Sequence, residues 1–315
     1  MAKQTIAVFG ATGAQGGGLV RAILADRSGE YSVRALTRNP SSDKAKALAQ
    51  AGAEVRAADA DQPETLAPAL AGAHGVYCVT NFWEHFSPER ELAQATAMAR
   101  AAAQAKVGHV VWSTLEDTRR TVPLSDTRLP TLMGKYKVPH FDAKAEADAA
   151  FEQAGTPTSY LLAAFYWDNF IHFGVGPRRN QDGVAQLALP LGGQKLPGIA
   201  AEDIGKCALG IFRRGAAAHG QRFGVSGENL SGDEMAQKMG AALGEKVIFQ
   251  DVPFDVYRGL GFPGAEDMGN MFHYQQLLGP AFLKARDPKL SRELNPELLD
   301  FDGWLRTNAR SIPIP

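Results

Sequence analysis

The apolar run Ile6-Ala-Val-Phe9 leads straight into glycines at positions 10, 13 and 16, and the amphipathic set Leu19, Val20, Ile23 and Leu24 follows them. This strand-turn-helix pattern constrains the chain more than any other feature. Gly10 permits a tight turn off a strand, Gly13 lets the backbone come close to a ligand, and Gly16 lets a helix pack closely on a sheet. A helix predicted from Gly17 to Ala25 then aims its unpaired N–H groups and the positive end of its dipole at the loop, which suits a pyrophosphate. With a strand before it and a helix after it, the loop reads as a dinucleotide-binding fingerprint.

A second strand, Ser32-Val-Arg-Ala-Leu-Thr37, ends in Arg38-Asn39, with Ser41, Ser42 and Lys44 following. Sites for NAD place an Asp or Glu here to accept from ribose hydroxyls. A guanidinium has nothing to gain from a neutral hydroxyl and suits a 2′-phosphate. The plainer alternative is a solvated surface arginine; the position favours NADP(H) over NAD(H).

Strand and helix patterns then alternate as in a doubly wound fold. Strands are expected at residues 54–58, 75–80, 109–114 and 159–164, with helices at 63–70, 88–106, 141–153 and 201–213. Residues 117–139 read as irregular, and beyond Phe165 the pattern gives way to Gly/Pro-rich stretches. The expected architecture is α/β. A Rossmann-type parallel sheet domain covers residues 1–164 with a returning segment near 198–227, and a smaller C-terminal α+β lobe takes 165–197 and 228–315. A formal charge of −1, from 33 basic and 34 acidic residues, argues against direct nucleic-acid binding. Cys78 and Cys207 lie in apolar contexts and read as buried free thiols, which fits a reducing cytoplasm. The N-terminal strand leaves no room for a signal peptide, and no apolar run approaches membrane-spanning length. No His/carboxylate spacing suits a metal.

The separated motifs Gly10-Ala-Thr-Gly-Ala-Gln-Gly16, Thr37-Arg-Asn-Pro40, Val79-Thr-Asn-Phe-Trp-Glu84, His140-Phe-Asp-Ala-Lys144 and Leu260-Gly-Phe-Pro-Gly264 closely resemble the NmrA-like family. This family is an atypical branch of the short-chain dehydrogenases/reductases that includes a vertebrate NADPH redox sensor. The resemblance implies phosphates on Gly10, Thr12, Gly13, Ala14, Gln15 and Gly16, and a 2′-phosphate on Arg38. It implies that Asp61 and Gln62 flank the adenine and that Thr80, Asn81 and Phe82 line the ribose and pyrophosphate groove. Lys144 would reach the nicotinamide ribose, and Phe165, Tyr166, Trp167 and Asp168 would wall the nicotinamide. The family often has a second basic residue near Ser42, where this chain offers Lys44.

Ordinary members of the superfamily use a Tyr four residues before the Lys as proton carrier. Here that position is His140, and Tyr136 lies a turn further back beyond Pro139. His140 either donates a proton to a developing oxyanion or helps to cap the helix. Ser113, ending a strand, either binds a carbonyl or satisfies the strand end. Lys144, His140 and Ser113 are therefore the candidate catalytic residues. Of the other histidines, His85 and His172 lie near the expected groove, and His273 has core-like spacing.

The leading expectation is a redox-responsive regulator that binds NADP(H), has little or no dehydrogenase activity and signals to a protein partner. Residues 117–139 and 174–193 are its candidate moving parts. The alternative is an NADPH-dependent reductase of a planar quinone, enone or aromatic carbonyl, and the third possibility is a scaffold with a vestigial site. The chain is expected as a monomer or homodimer.

Overall fold

The computed structural model describes residues 3–315. Its first half alternates β1 (Gln4–Val8), α1 (Ala14–Ala25), β2 (Tyr31–Thr37), α2 (Asp43–Gln50), β3 (Glu54–Ala57), α3 (Leu66–Leu70), β4 (Gly75–Cys78), α4 (Pro88–Gln104), β5 (His109–Thr114), α5 (Pro139–Ala154) and β6 (Thr158–Ala163). There follow β7 (Phe165–Tyr166), α6 (Asn169–His172), β8 (Arg178–Arg179), β9 (Ala185–Leu189), β10 (Leu196–Ile199), α7 (Ala201–Arg214) and β11 (Arg222–Val225). The chain ends with β12 (Glu228–Leu230), α8 (Gly232–Leu243), β13 (Val247–Asp251), α9 (Phe254–Arg258), α10 (Ala265–Leu278), α11 (Pro280–Lys284), α12 (Pro288–Leu294) and α13 (Phe301–Asn308).

Seven strands form one sheet in the order β3-β2-β1-β4-β5-β6-β11, and every neighbouring pair is parallel. This is the doubly wound, Rossmann-type arrangement, in which the order reverses between β1 and β4 and leaves a crevice at the strands' C-terminal ends. The strands are near-continuous apolar runs because helices cover both faces. One apolar cluster joins the sheet to α1 and α7, and a second joins it to α4 and α5. A third cluster fills the C-terminal region, where β12-β10-β7 and β13-β9-β8 form two small sheets.

Two helices begin earlier than the sequence suggests. Helix α1 starts at Ala14 rather than Gly17, so Gln15 and Gly16 belong to its first turn. Three consecutive glycines weaken a helix, and their reward is proximity. A Cβ on Gly18 would stand 2.7 Å from the Glu202 carbonyl of α7, and one on Gly205 would stand 2.1 Å from the Leu19 amide. The two helices therefore cross backbone to backbone. Helix α5 starts at Pro139, where proline is preorganised for a first helical position, so His140 lies inside the first turn.

Residues 117–139 are irregular, with one short 3-10 turn at Thr118–Arg120, yet they are firmly tied. The wholly buried Lys137 ammonium donates to the carbonyls of Leu124 (3.3 Å), Asp126 (2.7 Å) and Leu129 (2.6 Å) and to Thr131 Oγ1 (3.0 Å). Asp142 accepts from the amides of Thr118, Lys137 and Val138. A segment expected from its sequence to move is organised around one buried cation and one buried carboxylate.

Both cysteines are free and buried, and burial pushes their thiols far up, so neither is a reactive thiolate. No described helix is long and apolar enough to cross a membrane. At the opposite end of the sheet from the crevice, His109 bonds Ser159 Oγ at 2.8 Å and packs against His219. Burial, with the neighbouring His219 and His74, depresses its pKa to about 4. Between pH 6.5 and 4 the unfolded chain binds a proton that the folded chain does not, so stability falls as pH falls through that window, by about 3 kcal/mol for this one group. His109→Gln should flatten the loss of urea stability between pH 6.5 and 4 relative to wild type; parallel curves would refute the assignment.

Candidate functional site

The crevice at the strand-order reversal opens into a single cavity of about 1250 Å³. Its first wall is the loop after β1. Gly10 adopts φ +63°, and Gly13 donates its amide to the Gly10 carbonyl at 2.8 Å. A Cβ on Gly16 would fall 2.5 Å from that same carbonyl, so only glycine lets α1 start against the end of β1. No side chain caps α1, and its first turn carries no acid. Its amides and its positive dipole end are thus left for a ligand.

Gly10, Thr12, Gly13, Ala14, Gln15 and Gly16 all line the cavity. Arg38 and Asp61 lie towards one end, and Thr80, Asn81 and Phe82 follow β4. Ser113, His140 and Lys144 face the cavity from β5 and α5, with Phe165, Tyr166 and Asp168 alongside. Gln62 and Trp167 do not reach it. Gln62 is exposed and leans on Asp59, and Trp167 is core, packed 5.1 Å from Phe301.

Gln15 is the centre of a polar node. Its Oε1 accepts from the Tyr77 hydroxyl and from Ser113 Oγ (2.8 Å), and its Nε2 donates to the Tyr166 hydroxyl. Ser113 therefore directs its proton at Gln15. Burial pushes Tyr166 up to about 12 and Tyr77 well above its ordinary value, so both phenols stay protonated at neutral pH. Tyr136 is no substitute for the missing phenol, because its hydroxyl turns away to Glu146 at 3.3 Å.

Lys144 extends from α5 to Thr80, reaching Oγ1 at 2.8 Å and the carbonyl at 3.2 Å. It also lies 2.8 Å from Glu91, a wholly buried carboxylate in the first turn of α4 that accepts from Thr80 Oγ1 at 2.5 Å. His85 completes this group 3.4 Å from the other Glu91 oxygen. Its Nδ1 accepts from the Ser87 amide, so its proton sits on Nε2, facing Glu91. Lys144 is held as a fixed cation by an acid that the sequence reading missed; an acidic residue early in a helix looks like an ordinary dipole partner.

His140 is held in the same way. Its Nδ1 lies 2.7 Å from Asp267 Oδ1, and its backbone amide donates to Asp267 Oδ2 at 3.1 Å. Asp267 is buried in α10 of the C-terminal region, and no local signal in the sequence connects it to His140. The imidazole packs 4.7 Å from the Trp83 ring, and its Nε2 has no partner among the described residues. His172 also lines the cavity, whereas His273 stacks on Phe254 at 4.2 Å. The lining also includes an apolar set, Phe173, Tyr257, Leu260, Phe262, Met271 and Phe282, together with Arg178, Gln186 and Gln275.

Arg38 grips Glu84 through both terminal guanidinium nitrogens, at 2.5 and 3.3 Å, which raises its pKa further. Asp61 is held at about 2 by Arg90, with Gln94 assisting. Among the described residues no cluster of three or more His, Cys, Asp or Glu is arranged to hold a metal.

A doubly wound sheet with a glycine loop at its reversal point and a cavity shared with a C-terminal region defines a Rossmann-type protein. The chain belongs to the NmrA-like family, whose signature matches residues 2–305. The NmrA-like oxidoreductase FrzB of a Cladobotryum species is 31% identical over 302 residues, covering 87% of this chain and 84% of that one. The crystal structure of NmrA, a negative transcriptional regulator, in complex with NADP superposes with a TM-score of 0.79 at 23% identity, covering 97% of this chain and 95% of that one. Triphenylmethane reductase of Citrobacter sp., complexed with NADP(H), superposes at 0.74 and 21%, covering 97% and 99%.

The Lys144–Glu91 pair makes a direct stability prediction. Glu91→Ala strands a buried ammonium and should lower the unfolding free energy by about 3–5 kcal/mol, whereas the double variant Glu91→Leu/Lys144→Met should recover most of it. Urea titrations of the three proteins check this.

Proposed function

We propose that this protein binds NADP(H) along the glycine loop and reduces a flat, apolar quinone, enone or aromatic carbonyl. The observation that carries this reading is the continuity of the cavity. One cavity is lined both by the glycine loop and by apolar side chains of the C-terminal region, and an imidazole with one nitrogen clamped and the other unpartnered also lines it. A cradle in which Cβ atoms would collide, beside an uncapped helix start, fits a pyrophosphate. Relatives named as oxidoreductases and a reductase neighbour complexed with NADP(H) support the same reading.

In this reading the amides from Gly10 to Gly16 bind the phosphates, Arg38 takes the 2′-phosphate, and Lys144, fixed by Glu91 and Thr80, holds the nicotinamide ribose. The bound dinucleotide supplies a hydride. The aromatic and aliphatic walls exclude water and select a planar acceptor. When protonated on both nitrogens, His140 passes its Nε2 proton to the oxyanion that forms, while Asp267 fixes the ring and balances its charge. This does the work of the absent phenol with an imidazole.

NADPH oxidation against a panel of quinones and enones tests the proposal. His140→Ala and Lys144→Ala should each lower kcat/KM by about 10²-fold or more. A second reading, a regulator that reports cofactor state, is favoured by the lack of any phenol four residues before Lys144. No turnover on the whole panel, together with a cofactor-dependent change in oligomer size or partner binding, would replace the first reading with the second. Arg38→Asp should weaken NADPH far more than NADH in a fluorescence titration; equal losses would refute its role at the 2′-phosphate.

A further inference from the structure

We propose that Glu84 is an internal competitor for the 2′-phosphate and thereby sets how strongly the chain prefers NADP(H) to NAD(H). The proposal rests on the cofactor reading above and adds a residue to it. Both partners of the Arg38–Glu84 pair line the cavity, Arg38 from the end of β2 and Glu84 from the short turn after β4. The carboxylate engages both terminal guanidinium nitrogens, at 2.5 and 3.3 Å, and so fills a bidentate fork that a phosphate would use.

The surroundings make this competition count. Besides Arg38, the charged groups that interact there are Glu84, Asp59 and Asp61, which line the cavity, and Arg90, which stands behind Asp61 and does not. Arg90 is already committed to Asp61, at 2.5 and 3.1 Å. Three carboxylates thus face two guanidinium groups, and the local balance is acidic. Lys44, the nearest substitute for a second phosphate-binding cation, is exposed on α2 and does not line the cavity. A dianionic 2′-phosphate must release Glu84 from Arg38 and then sit beside it as a like charge. A ribose hydroxyl need not disturb the pair.

The pair is also weak enough to yield. Its side chains are 58% and 42% exposed, and exposed ion pairs of this kind stabilise little. The expected result is a chain that accepts both dinucleotides, with an NADPH preference held in check by its own carboxylate.

Titration of the full chain with NADPH and with NADH, followed by quenching of tryptophan fluorescence, tests this. Wild type should prefer NADPH by no more than about tenfold. Glu84→Gln, which keeps the size of the side chain, should tighten NADPH by about three- to tenfold, the scale of a lost exposed pair plus one relieved like-charge contact. NADH should be unchanged or weaker, and the NADPH gain should shrink as salt rises. In an Arg38→Gln background the Glu84→Gln gain should shrink to the part that comes from the relieved like-charge contact. The proposal is overturned if Glu84→Gln leaves NADPH unchanged or weaker, or tightens both dinucleotides equally. A wild-type preference above about a hundredfold overturns it too. If neither dinucleotide binds wild type or variant, the cofactor reading itself fails, a result distinct from unchanged selectivity.

Discussion

The site depends on two backbones being able to touch. Gly16 places the start of α1 against the carbonyls at the end of β1, and any side chain there would push the helix away. With the helix in that position its unpaired amides face the gap left by the reversal between β1 and β4. The same economy recurs two residues later, on the other side of the helix, where Gly18 meets α7. Helix α1 is thus wedged between the end of β1 and a helix from the second half of the chain. Glycine's unfavourable helix propensity is offset because the alternative is a steric clash rather than a looser fit.

Around this loop, three of the cations and imidazoles that line the cavity are met by acids from other segments. Arg38 meets Glu84, Lys144 meets Glu91, and His140 meets Asp267. The pairs differ in their setting. Arg38 and Glu84 are half exposed and exchangeable, whereas Glu91 is wholly buried and Asp267 nearly so. Burial turns an ion pair from a marginal contribution into a structural commitment, because losing one partner strands the other. The part of the cavity lined by Arg38 and Glu84 is therefore electrostatically adjustable, and the part with Lys144 and His140 is fixed.

The parts of this arrangement that were legible in the sequence are those written locally. Strand periodicity, the glycine spacing and the position of Arg38 after β2 each depend on a few consecutive residues, and the parallel sheet follows from their alternation. The partners were not legible. Glu84 lies 46 residues from Arg38, and Asp267 lies 127 residues from His140. Only the folded topology brings such groups together. Trp167 shows the same difficulty in reverse, since its neighbours Phe165 and Tyr166 line the cavity while it turns into the core beside Phe301. Residues 117–139 read as loose because scattered prolines and charges carry no period. Their order comes from Lys137, a buried lysine whose sequence context is unremarkable and whose four oxygen partners appear only once the segment has wrapped around it.

Two of the contacts bear on how the C-terminal region is coupled to the sheet. Asp267 ties α10 to the first turn of α5, and the fully buried Arg286 ties the end of α11 to Glu116 just beyond β5, at 2.6 and 2.8 Å. Both anchor points lie beside strand ends that shape the cavity. Burial alone would raise the Glu116 carboxyl, yet the Arg286 guanidinium outweighs it and keeps that carboxyl below its ordinary value, so this tie persists as a charged pair. The C-terminal region is thus fastened by two polar ties, the His140–Asp267 hydrogen bond and the Glu116–Arg286 ion pair, while some of its apolar residues line the cavity. A ligand that altered the charge on His140 would act directly on one of those ties. In the proposed chemistry, proton donation by His140 and the hold of one region on the other would depend on the same 2.7 Å contact, so a catalyst and a sensor built on this fold would use the same residue pair.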